Sequence, residues 1–97
     1  MAQVVVMPRM GQTMEEGAVV EWMKQEGDPV QKGEVLLTIE SDKSTLEVEA
    51  DYAGVLAKIL VTADNGSVPC FTPIAIMAEP GETFDVDAVI AEFIANR

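Results

Sequence analysis

The chain has 97 residues, 48% of them hydrophobic, with 6 Lys and Arg against 17 Asp and Glu and no His, for a formal charge of −11 at pH 7; this describes one small globular domain, too rich in Val, Ile and Leu to stay disordered. The excess negative charge repels phosphate backbones and excludes nucleic acid as a partner, and with no His and Cys70 as the single cysteine there is no hydrolase triad, thiolate zinc site or internal disulfide to build. No apolar run is longer than 74–78, far short of the about 20 residues of a bilayer crossing, and no basic stretch leads into an apolar block at the N-terminus, so the expectation is a cytoplasmic domain with no membrane partner.

Along the chain, apolar residues recur in short alternating runs broken by Gly, Pro and Asp, the pattern of strands joined by tight turns. Strands are expected at 3–7, 18–24, 35–40, 45–51, 54–61 and 74–79, with short extended pieces near Val30 and Val68. Turn chemistry lies between them in Glu26-Gly27-Asp28-Pro29, Lys32-Gly33, Asp64-Asn65-Gly66 and Thr72-Pro73. The acidic residues are scattered and form no calcium-binding loop pattern, so they read as solvated surface. Two stretches also resemble each other: 17–24 aligns with 54–61 at an offset of 37, and 36–40 with 74–78 at an offset of 38. Two copies are too few for a stacked solenoid. A closed pair of β halves related by a pseudo-twofold axis is expected instead, making a flattened barrel or sandwich.

The segment 35–51 folds back symmetrically about Asp42-Lys43. In that register Ile39 faces Leu46, Leu37 faces Val48 and Val35 faces Ala50, giving one apolar face, while Glu40 pairs with Thr45 and Thr38 with Glu47 on the other. Lys43 then stands in water at the tip of a type I turn between Ser41 and Ser44, the one basic residue between Lys32 and Lys58. Carrying the repeat offset from this turn in either direction lands where the chain enters and leaves. Lys43 is therefore expected at the end of the domain opposite both termini. Trp22, the Met7, Met10 and Met14 group and Cys70 read as packing residues, and Gly33 and Gly54 as turn or bulge positions.

After Glu79 the pattern changes at Pro80-Gly81, and Val86, Val89, Ile90, Phe93 and Ile94 recur at helical spacing. Asp85 is placed to cap this helix, Phe84 and Val89 to form its hydrophobic staple, and Asp87 to meet its positive end. A helix of about 12 residues is marginal alone in water, so its apolar stripe is expected to dock on the β domain or on another copy. The division expected is a β domain at 1–79 and an extension at 80–97, helical from about 85.

The run Gly33-Glu34-Val35-Leu36-Leu37-Thr38-Ile39-Glu40-Ser41-Asp42-Lys43-Ser44 closely resembles the lipoyl-attachment region of the 2-oxo acid dehydrogenase complexes, with an Asp-Lys pair at a hairpin tip and a glycine upstream. Met7-Pro8-Arg9-Met10-Gly11, Met14-Glu15-Glu16-Gly17, Trp22, Glu26-Gly27-Asp28-Pro29-Val30, Glu47-Val48-Glu49-Ala50 and Gly54-Val55-Leu56 resemble the same domain, in order. The resemblance implies two four-stranded antiparallel sheets with pseudo-twofold symmetry, no catalysis by the domain itself, and lipoate carried covalently on Lys43. It implies that Glu40, Ser41, Asp42 and Ser44 are read by a lipoate ligase or lipoyltransferase and by partners. Those partners would be a thiamine-diphosphate decarboxylase, an acyltransferase and the flavoprotein dihydrolipoamide dehydrogenase, acting on a 2-oxo acid or acetoin. The alternatives are a biotin carboxyl carrier domain, whose lysine lies in a Met-Lys-Met motif that here reads Asp42-Lys43-Ser44, and an unmodified acidic β interaction module. Ser44 departs from the small apolar residue common at its position.

Overall fold

A computed structural model describes residues 2–9, 11–41 and 44–95. Its elements are β1 (Gln3–Val6), β2 (Glu16–Trp22), β3 (Pro29–Val30), β4 (Val35–Glu40), β5 (Thr45–Glu49), β6 (Gly54–Ile59), a 3-10 turn (Ala63–Asn65), β7 (Ser67–Pro69), β8 (Pro73–Ala78) and α1 (Val86–Ala95). All strand pairs are antiparallel. They form two four-stranded sheets, ordered β1-β8-β6-β3 and β5-β4-β2-β7, so each sheet draws strands from both halves of the chain. Among the described residues no helix is long and apolar enough to cross a membrane.

The repeat in the sequence is a repeat in hydrogen-bonded register. Ala18–Glu40, Val19–Ile39, Glu21–Thr38 and Trp22–Leu37 pair in one sheet, and Val55–Ala78, Leu56–Met77, Lys58–Ile76 and Ile59–Ala75 pair in the other, at the same offsets of 37 and 38. Both ladders slip at the same place, leaving Val20 and Ala57 as the extra residues of equivalent bulges. The match extends to turns. Gly33 N–H donates to the Ala50 carbonyl at 2.9 Å and Phe71 N–H to the Met7 carbonyl at 2.7 Å; Ala50 N–H donates to the Glu34 carbonyl and Met7 N–H to the Thr72 carbonyl, each at 2.8 Å.

Between the sheets Met7, Leu37, Ile39, Leu56 and Ile74 are fully buried with Val19, Val30, Leu36 and Met77, and Val5, Met14, Trp22, Leu46 and Val48 pack against them. Each fully buried aliphatic side chain contributes roughly 1.5–3 kcal/mol through removal from water, and the buried set contains no polar side chain. Trp22 packs at the margin of the core, as expected, and its indole N–H donates to the Val61 carbonyl at 2.8 Å. Gly33 serves a turn at φ +89°, whereas Gly54 serves neither turn nor bulge. A Cβ on Gly54 would lie 2.9 Å from the Ala78 carbonyl oxygen, so its role is the close approach of β6 to β8.

The helix docks on the outside of the β1-β8 sheet, in contact with β1. Val5, Ala75 and Met77 belong to the core, so the alternation of a strand turns Val4 and Ile76 outward. Ile76 is nevertheless fully buried, which follows from a helix lying over that face. Asp85 caps the helix as expected: its carboxylate accepts from Asp87 N–H at 2.9 Å and Ala88 N–H at 3.2 Å.

Candidate functional site

The β4–β5 hairpin carries the residues singled out from the sequence. Its ladder pairs Ile39 with Leu46, Leu37 with Val48, Thr38 with Glu47 and Glu40 with Thr45, as the alternation demands. One pair differs: Val35 faces Glu49 rather than Ala50, because Leu36 bulges out of the ladder. Ala50 instead bonds Glu34 and Gly33 beyond the bulge. The bulge turns both Leu36 and Leu37 into the core, which a straight strand could not do.

At the far end, Ser41 N–H donates to the Ser44 carbonyl at 2.9 Å, closing the reversal immediately past the Glu40–Thr45 pair. Glu40, Ser44 and Thr45 are exposed and Ser41 is half-buried. Asp42 and Lys43 stand between these two serines in the chain; they lie outside the described residues, as do the turn type and exposure read for them, and Met10. The site is thus built from a stiff base. Leu37 and Ile39 are fully buried beneath it, and a one-residue slip would expel both from the core.

Symmetry locates this hairpin relative to the chain ends. Val4–Ile76 and Val5–Ala75 answer Glu47–Thr38 and Val48–Leu37, so Ala2 and Glu79 correspond to Thr45 and Ser41. No chain connection joins Glu79 to Ala2. The Glu82 carboxylate bridges them, accepting from Ala2 N–H at 2.7 Å and Glu79 N–H at 2.9 Å. These bonds hold the Glu82 carboxyl below the usual range, the Glu79 amide being the largest cause. The later residues of β1 and β5, Val4 to Val6 with Val48 and Glu49, line one cleft of about 210 Å³ together with Ala50, Tyr52 and Met77. Gln3, Met77 and Leu56 are level in their sheet, at the end where 31–34 and 50–53 cross from Val30 and Gly54 to the Val35–Glu49 pair, the end of the hairpin away from its turn, which sets Ala2 and Ser44 at opposite ends of a body measuring 39 × 28 × 23 Å.

Three further segments gather at the hairpin end. β2 pairs Ala18 with Glu40 on one side, and Glu16 with Pro69 of β7 on the other. Cys70 N–H donates to the Glu15 carbonyl at 2.9 Å, and the Cys70 thiol faces the carbonyls of Met14 and Pro8 at 3.5 and 3.8 Å. Cys70 is partly buried, a packing role with a weak donor. Beside it Phe71 is 49% exposed with φ +72°. Its symmetry mate is Gly33, so the repeat itself holds the signal that position 71 has a backbone suited to glycine. Arg9 folds its guanidinium onto the carbonyls of Gly11 and Gln12.

Comparison with known proteins agrees with this architecture. The Biotin_lipoyl family model, described as "Biotin-requiring enzyme", matches residues 3–77. The dihydrolipoyllysine-residue acetyltransferase component of pyruvate dehydrogenase complex from Rickettsia typhi is 45% identical over 89 residues, 91% of this chain and 22% of that protein. The protein of the same name from Zymomonas mobilis is 44% identical over 87 residues, 90% of this chain and 19% of its own. A Rhizobium meliloti protein named pyruvate dehydrogenase E1 component subunit beta is 43% identical over 89 residues, again 91% of this chain and 19% of its own. The chain therefore spans about a fifth of the length of these curated relatives.

Proposed function

The chain belongs to the Biotin_lipoyl family, and from that premise we propose that it is a lipoyl carrier domain, spanning 1–79, whose Lys43 is acylated by lipoic acid. The observation that carries the reading is the register-locked hairpin: buried Leu37 and Ile39 fix its base, Ser41 and Ser44 close it, and Asp42-Lys43 is all that lies between. An Asp-Lys-Ser tip in place of Met-Lys-Met favours lipoate over biotin.

In the acylation step the Lys43 ε-amine attacks the carbonyl carbon of an activated lipoyl carboxyl group. The C–N bond forms, the bond to the activating group breaks with that group leaving on the electron pair, and the nitrogen loses a proton. Free lysine titrates near 10.4, so the ligase must supply the base. Bound there, lipoate supplies a disulfide that accepts an acyl group and two electrons. The domain's own part is non-catalytic: it holds the amine at one end, keeps the chain ends at the other, and presents acidic side chains that steer basic partner surfaces. A tether leaving the terminal end raises the effective concentration of the arm at several active sites without crossing it. By this reading the partners are a thiamine-diphosphate decarboxylase, an acyltransferase and dihydrolipoamide dehydrogenase, gathered in the cytoplasm in a complex acting on pyruvate or a related 2-oxo acid.

The test is intact mass after incubation with a lipoate ligase, lipoate and ATP. The wild-type chain should gain one lipoyl group and Lys43→Arg none. A chain that stays unmodified, or gains biotin from a biotin ligase instead, contradicts the reading.

A further inference from the structure

Phe71 is the one described non-glycine residue with positive φ, at +72°. The equivalent position in the other half is Gly33, at +89°, making the corresponding backbone bond. An aromatic residue in the left-handed region is strained, and such strain persists where something other than folding retains it. Folding does not explain it here. The ring is 49% exposed, while the core is complete without it.

Its place is informative. In the β5-β4-β2-β7 sheet, Glu40 is level with Ala18 and Ala18 with Ser67, so β7 runs towards the same end as β4 and Phe71 follows it past the sheet edge. Two strand spacings, roughly 10 Å, separate β7 from β4. A standard protein interface covers roughly 800 Å² on each partner, a patch roughly 30 Å across, so a protein that covers the hairpin tip also covers Phe71. Exposed Glu15, Glu16 and Glu40 surround the approach, and the guanidinium of Arg9 is turned onto its own loop. An aromatic anchor with a charged rim is the composition of a binding hot spot.

We infer that Phe71 is the anchor by which the enzyme that acylates Lys43 docks on this domain, seating the ring in an apolar pocket edged by Lys or Arg. This rests on the lipoyl-carrier reading. The ligase is the partner that fits best, because it must bring the ε-amine itself to its reacting centre and so must close on the protein surface around it.

The experiment compares kcat/KM for lipoylation by a lipoate ligase, together with Tm, for wild type, Phe71→Gly, Phe71→Asn and Phe71→Leu. Gly and Asn suit the positive φ, so both variants should keep or raise Tm while kcat/KM falls about tenfold, the loss expected of a hot-spot residue. Phe71→Leu keeps an apolar anchor and should retain most of the rate. Equal kcat/KM in wild type and Phe71→Gly overturns the inference and leaves the carrier reading standing. A loss confined to variants with lowered Tm also overturns it. A wild-type chain that takes up no lipoyl group removes the carrier reading, and the inference with it.

Discussion

The two halves of this molecule share one backbone plan and dress it for opposite tasks. Where one half closes β4 to β5 through Ser41 and Ser44, the other leaves Ala2 and Glu79 unjoined and ties them through the Glu82 carboxylate. Where one sheet turns Thr38 and Glu47 outward, the other turns Ile76 and Val4 outward on the sheet where α1 docks against β1. Even the paired glycines differ, since the space above Gly54 is bounded by backbone and that above Gly17 by methionine side chains. A doubled scaffold therefore yields one end that closes through Ser41 and Ser44 and another where Glu82 ties Ala2 to Glu79, and the side chains at equivalent positions decide which is which.

That comparison can be broken at several points. The largest effect is expected at Gly54→Ala, whose Cβ meets the Ala78 carbonyl at 2.9 Å, a backbone atom that cannot swing aside; a loss of about 3 kcal/mol is expected, against about 1 kcal/mol for Gly17→Ala, where Met14 and Met7 side chains can shift. Urea unfolding of both variants measures the difference, and equal losses would end the distinction. Next, Val4→Glu copies Glu47 onto the other half. It should release α1 at a cost of about 2 kcal/mol, seen as fast amide exchange over 86–95 with the sheets still protected. Asp85→Ala removes two bonds to helix amides and should cost about 1 kcal/mol, read as lost helical ellipticity.

The smallest expected effect concerns pH. Glu34, bonded by the Lys24 ammonium at 2.9 Å and by Gln31 N–H, and Glu82, bonded by Glu79 and Ala2, both have carboxyls held below the ordinary 4.5. A carboxyl lowered by folding stabilises the fold above its unfolded pKa and loses that contribution as pH falls through its folded pKa. Acid titration of stability should therefore steepen below about pH 4.5, and Glu82→Gln should flatten part of that slope. Both carboxyls are open to solvent, so the effect is modest.

Much of this is legible in the sequence. Alternation fixes the hairpin register because a slip would turn Leu37 and Ile39 to solvent, and the repeat offsets foretold the paired ladders. What escaped has physical reasons. The Leu36 bulge that moved Val35 from Ala50 to Glu49 leaves no mark in a run of three apolar residues. The helix-covered face had a signal in the unbroken run 74–78, since a strand buried on both sides loses its alternation, yet nothing in that run names the covering element. Tyr52 shows the same limit: partial burial raises its phenol pKa, with Asp51 adding to the effect, inside a cleft formed only when β1 meets β5.

The most direct test of the central claim is peptide mapping of the wild-type chain after complete lipoylation, because Lys24, Lys32 and Lys58 offer competing amines in the same chain. The account predicts the lipoyl group on the peptide containing Lys43, with the other three lysines free. Modification at any of those three, or spread among them, would contradict it.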